Sequence, residues 1–240
     1  MLEIMNSIKA FAIDIDGTLT ENGGGIIHLP AFQHLKTLEK LGYKIIYVTG
    51  RSSIEAYMLS VFGGTTKIAV GENGGVVTLS PTEHILLGNK HTCIMAYNIL
   101  TSNIDNVKKK NVFERMTEVV LERTFDIDIG KKILEENSLD IDLFDSKYSF
   151  HINTKGITKA TGLAKALGIL KISPSETVTI GDSETDIPLF DFCGYSIALN
   201  HSDKNVKSKA NHVVSGNEGK GLVEALDYIA LNFFGKNAVK

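Results

Sequence analysis

The clearest structural signal in the chain is the segment Ile8-Lys-Ala-Phe-Ala-Ile-Asp-Ile-Asp-Gly-Thr-Leu19. Its apolar part, residues 8–15, is typical of a strand that is buried on both faces, and the strand ends at Asp16-Gly17-Thr18. Apolar residues then recur at helical spacing until Gly42, and residues 44–48 form a second apolar strand. The order strand, helix, strand predicts a βαβ unit and therefore a parallel sheet.

Helix and strand patterns alternate on both sides of a less regular segment. Inside that segment we predict one helix (128–137) and two strands (139–144 and 148–153), the second of them half-buried, with Ser149, His151 and Asn153 on its polar side. The fold class is therefore α/β, with a doubly wound parallel sheet and a small inserted α+β cap. The predicted boundaries are residues 1–82 and 153–240 for the core and 83–152 for the cap.

Composition limits the kind of protein. The 28 acidic and 25 basic residues give a net charge of −3, which argues against a nucleic-acid or membrane-surface partner. No apolar run reaches the roughly 18 residues of a membrane span. Cys93 and Cys193 fit no metal or redox spacing, so we expect free thiols in the reducing cytoplasm. The sequence leaves open whether the protein forms a homodimer.

Four acidic residues follow strands that we expect to be close in space. Asp14 and Asp16 end the first strand, and Asp182 and Asp186 follow the first strand after the predicted cap. The carboxyl ends of parallel strands share one crevice, and like charges there repel unless a cation or proton lies between them. Hard oxygen ligands suit Mg²⁺, so the combination predicts a magnesium site. Each pair alone also fits a local role, an Asp-Gly hairpin turn or a helix cap with a solvated neighbour.

Two further places suit a bound phosphate. Thr49 and Gly50 stand where a strand meets a helix, so a hydroxyl and backbone N–H groups could hold an anion there; a plain loop with Ser52 as helix cap is the alternative. Lys159 lies in the first turn of a helix, where a cation opposes the helix dipole at a cost of roughly 0.3–1 kcal/mol. A bound anion would remove that conflict, and a solvated lysine screened by salt is the alternative.

Taken in order, these motifs resemble those of the haloacid dehalogenase superfamily of phosphatases, whose core is a Rossmann-like sheet. The four matching stretches are 14–19 (Asp-Ile-Asp-Gly-Thr-Leu), 49–51 (Thr-Gly-Arg), 159–163 (Lys-Ala-Thr-Gly-Leu) and 181–186 (Gly-Asp-Ser-Glu-Thr-Asp). The segment Glu72-Asn-Gly-Gly75 resembles an accessory loop of the family, and the insertion between the second and third motifs resembles its C2-type cap. Thr185 stands where the family usually has Asn.

The resemblance implies a mechanism and a role for each motif residue. It implies hydrolysis of a phosphate monoester through an aspartyl-phosphate on Asp14, with Asp16 as general acid and base. It also implies Mg²⁺ as the cofactor and a phosphate-binding set of the protein's own groups. The metal set is Asp14, Asp16 (through its backbone carbonyl), Asp182 and Asp186, and the phosphate set is Thr49, Gly50 and Lys159.

Within the superfamily, the chain is most similar to archaeal-type phosphoglycolate phosphatases and to sucrose-phosphate phosphatases. We therefore expect 2-phosphoglycolate as the substrate, with a sugar phosphate as the alternative. A phosphosugar mutase would be expected to have a larger cap. A phospho-accepting signalling module of the receiver type would be about half as long, without a cap or a second Asp two positions after the first. Carboxylates or their partners at all four motifs argue against a non-catalytic binding protein. A substrate carboxylate needs a cation, and Arg115, Arg123 and Lys155 are the candidates, although each also fits a solvated surface charge. His151 is assigned no role.

Overall fold

The computed structural model describes residues 8–21 and 25–233. The strands of these described residues are β1 (Ala10–Ile13), β2 (Thr20–Glu21), β3 (Ile26–Ile27), β4 (Lys44–Val48), β5 (Ala69–Gly71), β6 (Val76–Ser80), β7 (Glu83–Leu86), β8 (Val119–Leu121), β9 (Ile141–Asp145), β10 (Phe150–Thr154), β11 (Thr177–Gly181), β12 (Tyr195–Ala198) and β13 (His212–Val213). The α-helices are α1 (Leu29–Lys40), α2 (Ser53–Gly63), α3 (Lys90–Asn103), α4 (Ile127–Glu136), α5 (Lys159–Leu170), α6 (Ile187–Phe192), α7 (Lys204–Lys209) and α8 (Glu218–Phe233). In this described part of the chain, no helix is both long and apolar enough to cross a bilayer.

One large sheet carries the core. Its strand order, over the described residues, is β13-β12-β11-β1-β4-β5-β6-β7. The strands from β13 to β5 are parallel, which confirms the predicted α/β class, whereas β6 and β7 each run antiparallel to their neighbours. These two antiparallel edge strands were not predicted from the sequence. A parallel crossover needs a dozen or more residues, and only residues 72–75 connect β5 to β6.

The strand β1 lies in the middle of the sheet and is buried on both faces. Phe11 and Ile13 pack into a cluster with residues of α1 and α8, while Ala10 and Ala12 face a second cluster that includes Leu163 of α5. This double burial explains the uninterrupted apolar run of the sequence. The strand order reverses between β1 and β11, so the ligand crevice of a doubly wound sheet is expected beyond the ends of these two strands.

A smaller antiparallel sheet, β8-β10-β9, forms the cap together with α3 and α4. Phe150 and Ile152 of its central strand pack on the two helices. The opposite face of β10 is also buried, since His151 is 4 % and Asn153 0 % exposed. The prediction of a half-buried strand is therefore wrong, because the polar face of β10 lies against the core and not in solvent.

Three further features of the cap bear on the sequence predictions. The predicted helix at 128–137 and strand at 139–144 correspond to α4 and β9, but α3 was not predicted. Its buried face, Cys93, Ala96 and Leu100, is too sparsely apolar to produce a strong helical pattern. The division into core and cap at residues 83 and 152 stays a prediction; β7 pairs within the large sheet, and β10 extends to Thr154.

Candidate active site

Three acidic side chains meet where the strand order reverses. Asp14 follows β1 directly, Asp182 follows the neighbouring strand β11, and Asp186 lies one turn beyond Asp182. One carboxylate oxygen of each lies within 4.8 Å of the others. Asp14 and Asp186 are buried, and the side chain of Asp182 is 14 % exposed. The fold therefore gathers three of the predicted metal ligands into a single cluster.

Lys159 is the cation of this cluster. Its Nζ lies 2.9 Å from Asp14 Oδ1 and donates a hydrogen bond to Asp186 Oδ1 at 2.7 Å. The side chain is only 2 % exposed, so it is not a solvated lysine. Burial alone would lower the pKa of Lys159, but the charges of Asp14 and Asp186 raise it above its ordinary value. Lys159 is therefore charged in the folded protein.

One lysine does not neutralise three carboxylates. Burial raises the pKa of Asp14 well above its ordinary value, the charges of Asp186 and Asp182 raise it further, and Lys159 opposes them. Asp186 differs, because its Oδ2 accepts from the backbone N–H groups of Asp182 and Ser183 and from the Ser183 hydroxyl. With Lys159 on Oδ1, both oxygens of Asp186 are engaged. Asp14 is thus the carboxylate that most needs another cation nearby.

The loop that follows β1 approaches Asp182 closely. Thr18 donates its hydroxyl to Asp182 Oδ1 at 2.7 Å, and His201 Nε2 lies 3.3 Å from Asp182 Oδ2. Gly17 has a φ of +80°, and a Cβ at this position would lie 2.6 Å from Asp182 Oδ2. Only glycine combines this backbone conformation with such a close approach. The Asp-Gly turn of the first motif therefore serves the acidic cluster directly.

Asp16 is held apart from that cluster by Arg51. The guanidinium donates from Nε to Asp16 Oδ2 at 2.8 Å and from Nη2 to Oδ1 at 2.7 Å, and Nη1 binds Glu55 at 3.1 Å. Asp16 is 49 % exposed, so it lies at the mouth of the crevice. A bidentate pair of this kind fixes the orientation of the carboxylate. Sequence analysis quoted Arg51 within a motif but assigned it no role.

Thr49 and Gly50 follow β4, the strand on the other side of β1. Thr49 is fully buried, and its hydroxyl accepts a hydrogen bond from the backbone N–H of Arg51 at 3.1 Å. Asn73 packs against the same turn, because a Cβ built on Gly50 would lie 3.0 Å from Asn73 Oδ1. The helix α2 starts here with Ser52 as its N-cap and a capping box between Ser52 and Glu55. The turn therefore lies at the same edge of the sheet as Asp14, which follows the neighbouring strand β1.

The loop at residues 72–75, which connects β5 to β6 of the core, contacts the cap. Glu72 and Asn73 both have a φ of +53°, which turns the chain sharply after β5. The buried carboxylate of Glu72 accepts hydrogen bonds from the backbone N–H groups of Met116 and Thr117 and from the Thr117 hydroxyl. Burial nevertheless raises the pKa of Glu72 above its ordinary value. These hydrogen bonds attach the cap to the core at Glu72, the residue that precedes Asn73.

Asn73 contacts a buried pair of polar residues in the cap, Glu118 and His151. Its Nδ2 lies 3.3 Å from both Glu118 Oε2 and His151 Nδ1, and Glu118 and His151 are themselves 2.9 Å apart. Burial alone would raise the pKa of Glu118, but His151 and Arg115 lower it below its ordinary value. Glu118 is therefore ionised. His151, which the sequence left without a role, belongs to this cluster.

The three candidate cations for a substrate carboxylate occupy different places. Arg115 is buried, with 8 % of its side chain exposed, and its Nε lies 3.6 Å from Glu118 Oε1. Arg123 is half exposed and pairs with Asp145 on the cap surface. Lys155 lines a surface cavity formed by α4 and β9. Only Arg115 among these three lies in the polar cluster that touches Asn73.

Three features define the class of this molecule: a doubly wound α/β core, an inserted cap and an acidic crevice at the strand reversal. The chain belongs to the family of haloacid dehalogenase-like hydrolases, whose model matches residues 11–93 and 89–226. This confirms the resemblance found in the motifs.

Two curated relatives and one solved structure are similar over nearly their whole length. A phosphoglycolate phosphatase of Nitrosopumilus maritimus is 54 % identical over 222 residues, which cover 92 % of this chain and 96 % of the relative. A phosphoglycolate phosphatase of Methanosarcina mazei is 34 % identical over 225 residues, covering 93 % and 97 %. A crystal structure from Thermoplasma acidophilum superposes with a TM-score of 0.84 at 22 % identity, covering 93 % and 99 %, and supports the fold.

Several site residues were missed by the sequence analysis. Thr18 and Ser183 lie inside quoted motifs, so their hydroxyls could have been proposed as donors to the acidic residues. Thr185, in place of the usual Asn, lies 2.8 Å from the Ser183 hydroxyl and acts on Asp186 only through that serine. Glu118 carried no signal, because an isolated glutamate in the sequence is most often a surface residue.

Proposed function

We propose that this protein is a Mg²⁺-dependent phosphoric monoester hydrolase that converts 2-phosphoglycolate and water to glycolate and phosphate. The observation that carries the proposal is the cluster of Asp14, Asp182 and Asp186 around Lys159 at the strand reversal. The names of relatives that match this chain over nearly its full length, one of them at 54 % identity, support the substrate.

The residues present fit a magnesium ion. Their donors are hard carboxylate oxygens within 4.8 Å of one another. Burial raises the pKa of Asp14, and the negative charges of Asp186 and Asp182 raise it further against the opposing effect of Lys159. We assign the ion to Asp14, Asp182 and the backbone carbonyl of Asp16. Asp186, whose oxygens already accept from protein donors, supports the site through Lys159. When bound, the ion supplies positive charge that offsets the carboxylates and the phosphate dianion.

Asp14 acts as the nucleophile in this proposal. Its free carboxylate oxygen forms a bond to phosphorus while the bond from phosphorus to the glycolate oxygen breaks, which leaves an aspartyl-phosphate. Asp16, at the mouth of the crevice, donates a proton to the departing oxygen. It then removes a proton from the water that attacks phosphorus, which releases phosphate and restores Asp14. Two easier displacements thus replace one difficult displacement.

The phosphate oxygens would be bound by groups that are already in place. Thr49 and the backbone N–H of Gly50 follow β4, the neighbour of β1, and the ammonium of Lys159 at the start of α5 contacts Asp14 and Asp186. Their positions are fixed by burial, by the hydrogen bond from Arg51 N–H to Thr49 and by the contacts of Lys159. Donors held rigidly in a buried site stabilise the charge that develops in the transition state.

A screen of phosphate esters with Mg²⁺ tests this proposal. The purified chain is assayed for phosphate release from 2-phosphoglycolate, sucrose phosphate, simple sugar phosphates and ethyl phosphate. We expect the highest kcat/KM with 2-phosphoglycolate. The highest value with a sugar phosphate would favour the alternative of a sugar-phosphate phosphatase.

The same assay separates an enzyme from a signalling module. A phospho-accepting module would release at most one phosphate per protein molecule, whereas a hydrolase releases many. The Asp14→Asn variant serves as the blank for contaminating phosphatases. An absence of turnover with every ester in the presence of Mg²⁺ would refute the proposed function.

A further inference from the structure

We propose that Arg115 and Asn153 in the cap bind the carboxylate of the substrate and so select 2-phosphoglycolate over phosphate esters that lack a carboxylate. The inference rests on the proposed function and adds the residues that determine specificity. It starts from buried polar atoms at the boundary between core and cap that the fold itself leaves unsatisfied.

The guanidinium of Arg115 is the first of these groups. Within the described residues, its Nε and Nη1 atoms are buried and have no hydrogen-bond partner. The nearest carboxylate oxygen, Glu118 Oε1, lies 3.6 Å from Nε, which is too long for a hydrogen bond. A buried N–H group without an acceptor costs about 1–3 kcal/mol. Glu118 Oε1 is likewise buried without a hydrogen-bond partner in the described residues, so it balances the charge of Arg115 but leaves these two donors free for a further acceptor.

Asn153 is the second group. Its side chain is fully buried, and its Nδ2 has no partner in residues 8–21 and 25–233. In the cap sheet, His151 pairs with Val120 and Ile152 with Val119, so the next position places Asn153 opposite Glu118. Facing residues of antiparallel strands lie on the same side of a sheet. The unsatisfied donor of Asn153 therefore lies on the face that carries Glu118 and faces the core.

The position of these donors relative to the turn at Thr49 and Gly50, which is proposed to bind phosphate, suits a short substrate. Arg115 adjoins Glu118, Glu118 contacts Asn73, and Asn73 packs against Gly50. Two side chains therefore separate the guanidinium from the turn proposed to bind phosphate. Arginine suits a carboxylate because its planar donors match the two oxygens.

The charge of Glu118 does not exclude an anionic ligand. Glu118 Oε2 is bound by His151 at 2.9 Å and by Asn73 at 3.3 Å, and Lys90 donates to the Glu118 carbonyl oxygen at 2.5 Å. Two cations, Arg115 and Lys90, thus lie in the cluster with this carboxylate. Glu118 is therefore a counter-ion that keeps Arg115 in place in the absence of substrate.

Steady-state kinetics of the Mg²⁺-loaded enzyme on a matched pair of esters test the inference. Ethyl phosphate shares the CH₂–O–phosphate group of 2-phosphoglycolate but carries a methyl group in place of the carboxylate. For Arg115→Met we expect kcat/KM on 2-phosphoglycolate to fall about ten- to hundredfold, mainly through KM, because one charge-assisted pair is lost. The kcat/KM on ethyl phosphate should change little. A merely structural role of Arg115 would lower the rates on both esters together.

Two variants guard against a folding defect. Arg115→Lys keeps a positive charge beside Glu118 but removes the planar pair of donors, so it should fold and show an intermediate loss of preference for 2-phosphoglycolate. Arg123→Met, at an exposed arginine of the same cap, is the matched control and should keep the wild-type preference. Thermal unfolding of each variant identifies any that fail to fold.

The outcomes distinguish this inference from the proposed function. If the wild-type enzyme prefers 2-phosphoglycolate and the folded Arg115 variants retain that preference, the inference is overturned and the proposed function stands. If the wild-type enzyme hydrolyses both esters equally well, the proposed substrate is wrong, and the inference is overturned with it.

Discussion

Arg51 binds both carboxylate oxygens of Asp16, with distances of 2.8 Å from Nε to Oδ2 and 2.7 Å from Nη2 to Oδ1. The two residues are 35 positions apart in the chain. The proximity of the ends of β1 and β4 makes the pair possible, because these strands are neighbours in the sheet. The pair holds the proposed general acid at the mouth of the crevice, so its removal has a specific kinetic consequence.

We expect Arg51→Met to lower kcat on 2-phosphoglycolate about ten- to hundredfold, because an unrestrained Asp16 is misplaced for proton transfer. The loss should be smaller on p-nitrophenyl phosphate, whose leaving group needs little protonation. Arg51→Lys, which keeps the charge but not the two planar donors, should give an intermediate rate. Equal losses on both substrates would contradict a positioning role for Arg51.

Asp14→Asn should abolish turnover without unfolding the protein. An amide is a poor nucleophile, so we expect kcat to fall at least about a thousandfold. The free energy of unfolding without metal should not fall, because the substitution removes one of three neighbouring negative charges and leaves Lys159 bound to Asp186. Substantial phosphate release by a clean preparation would remove Asp14 from the nucleophile role.

Chelation of divalent metal with EDTA should stop hydrolysis, and added Mg²⁺ should restore it. Because Mg²⁺ offsets the repulsion between Asp14 and Asp182, it should also raise the Tm; at about 100 times its Kd it adds about 2.7 kcal/mol to the free energy of unfolding. Thermal unfolding with and without Mg²⁺ measures this effect. Asp182→Asn should lose most of the Tm increase, and an undiminished increase would place the ion elsewhere.

Lys159→Met should destabilise the metal-free protein. It leaves Asp14 and Asp186 buried without their cation, and breaking a buried ion pair costs about 3–5 kcal/mol. Urea unfolding at pH 7 measures the change, which Mg²⁺ should partly reverse. Lys165→Met on the exposed side of α5 is the control and should unfold like the wild type. Equal stability of the two variants would mean that Lys159 does not neutralise the cluster.

Glu118→Gln should reduce stability in a pH-dependent way. The folded-state pKa of Glu118 lies below its ordinary value of 4.5, so its charge stabilises the fold fully above pH 4.5. That contribution is lost as the pH falls through the folded-state pKa. The difference in unfolding free energy between wild type and variant should therefore be present at pH 7 and shrink in acid below pH 4.5.

The control for this prediction is Glu136→Gln, which changes an exposed glutamate of α4. Its unfolding free energy should follow that of the wild type at every pH. A Glu118→Gln variant with the same stability as this control would show that the buried pair with His151 adds nothing to the fold.

The core of the molecule was predictable because its signals are local. The apolar residues of β1 identify a strand with two buried faces, and Gly17 marks the sharp turn after it. The β-strand order then follows from a general rule for doubly wound sheets, which places Asp14 and Asp182 at a common edge. Lys159 was found from its conflict with the helix dipole, but its burial was not predictable from that position.

The cap was less predictable because its polar residues point inward. His151 and Asn153 alternate with apolar residues and therefore resemble the solvent side of an ordinary strand. They are buried because the core packs against this face of β10, and no local sequence pattern indicates that contact. The antiparallel edge strands β6 and β7 were missed for a related reason, since only the short connection at residues 72–75 rules out a parallel crossover.

The sequence by itself determined the family, the parallel part of the sheet and the identity of the acidic residues, because each depends on neighbours in the chain or on ordered motifs. Only the tertiary structure decided that Asn73 of the core meets Glu118 and His151 of the cap, and that Arg115 is buried with unsatisfied donors. Contacts between residues 45 to 78 positions apart arise when complete helices and strands pack together. The resulting hydrogen bonds produce no periodic pattern in the sequence.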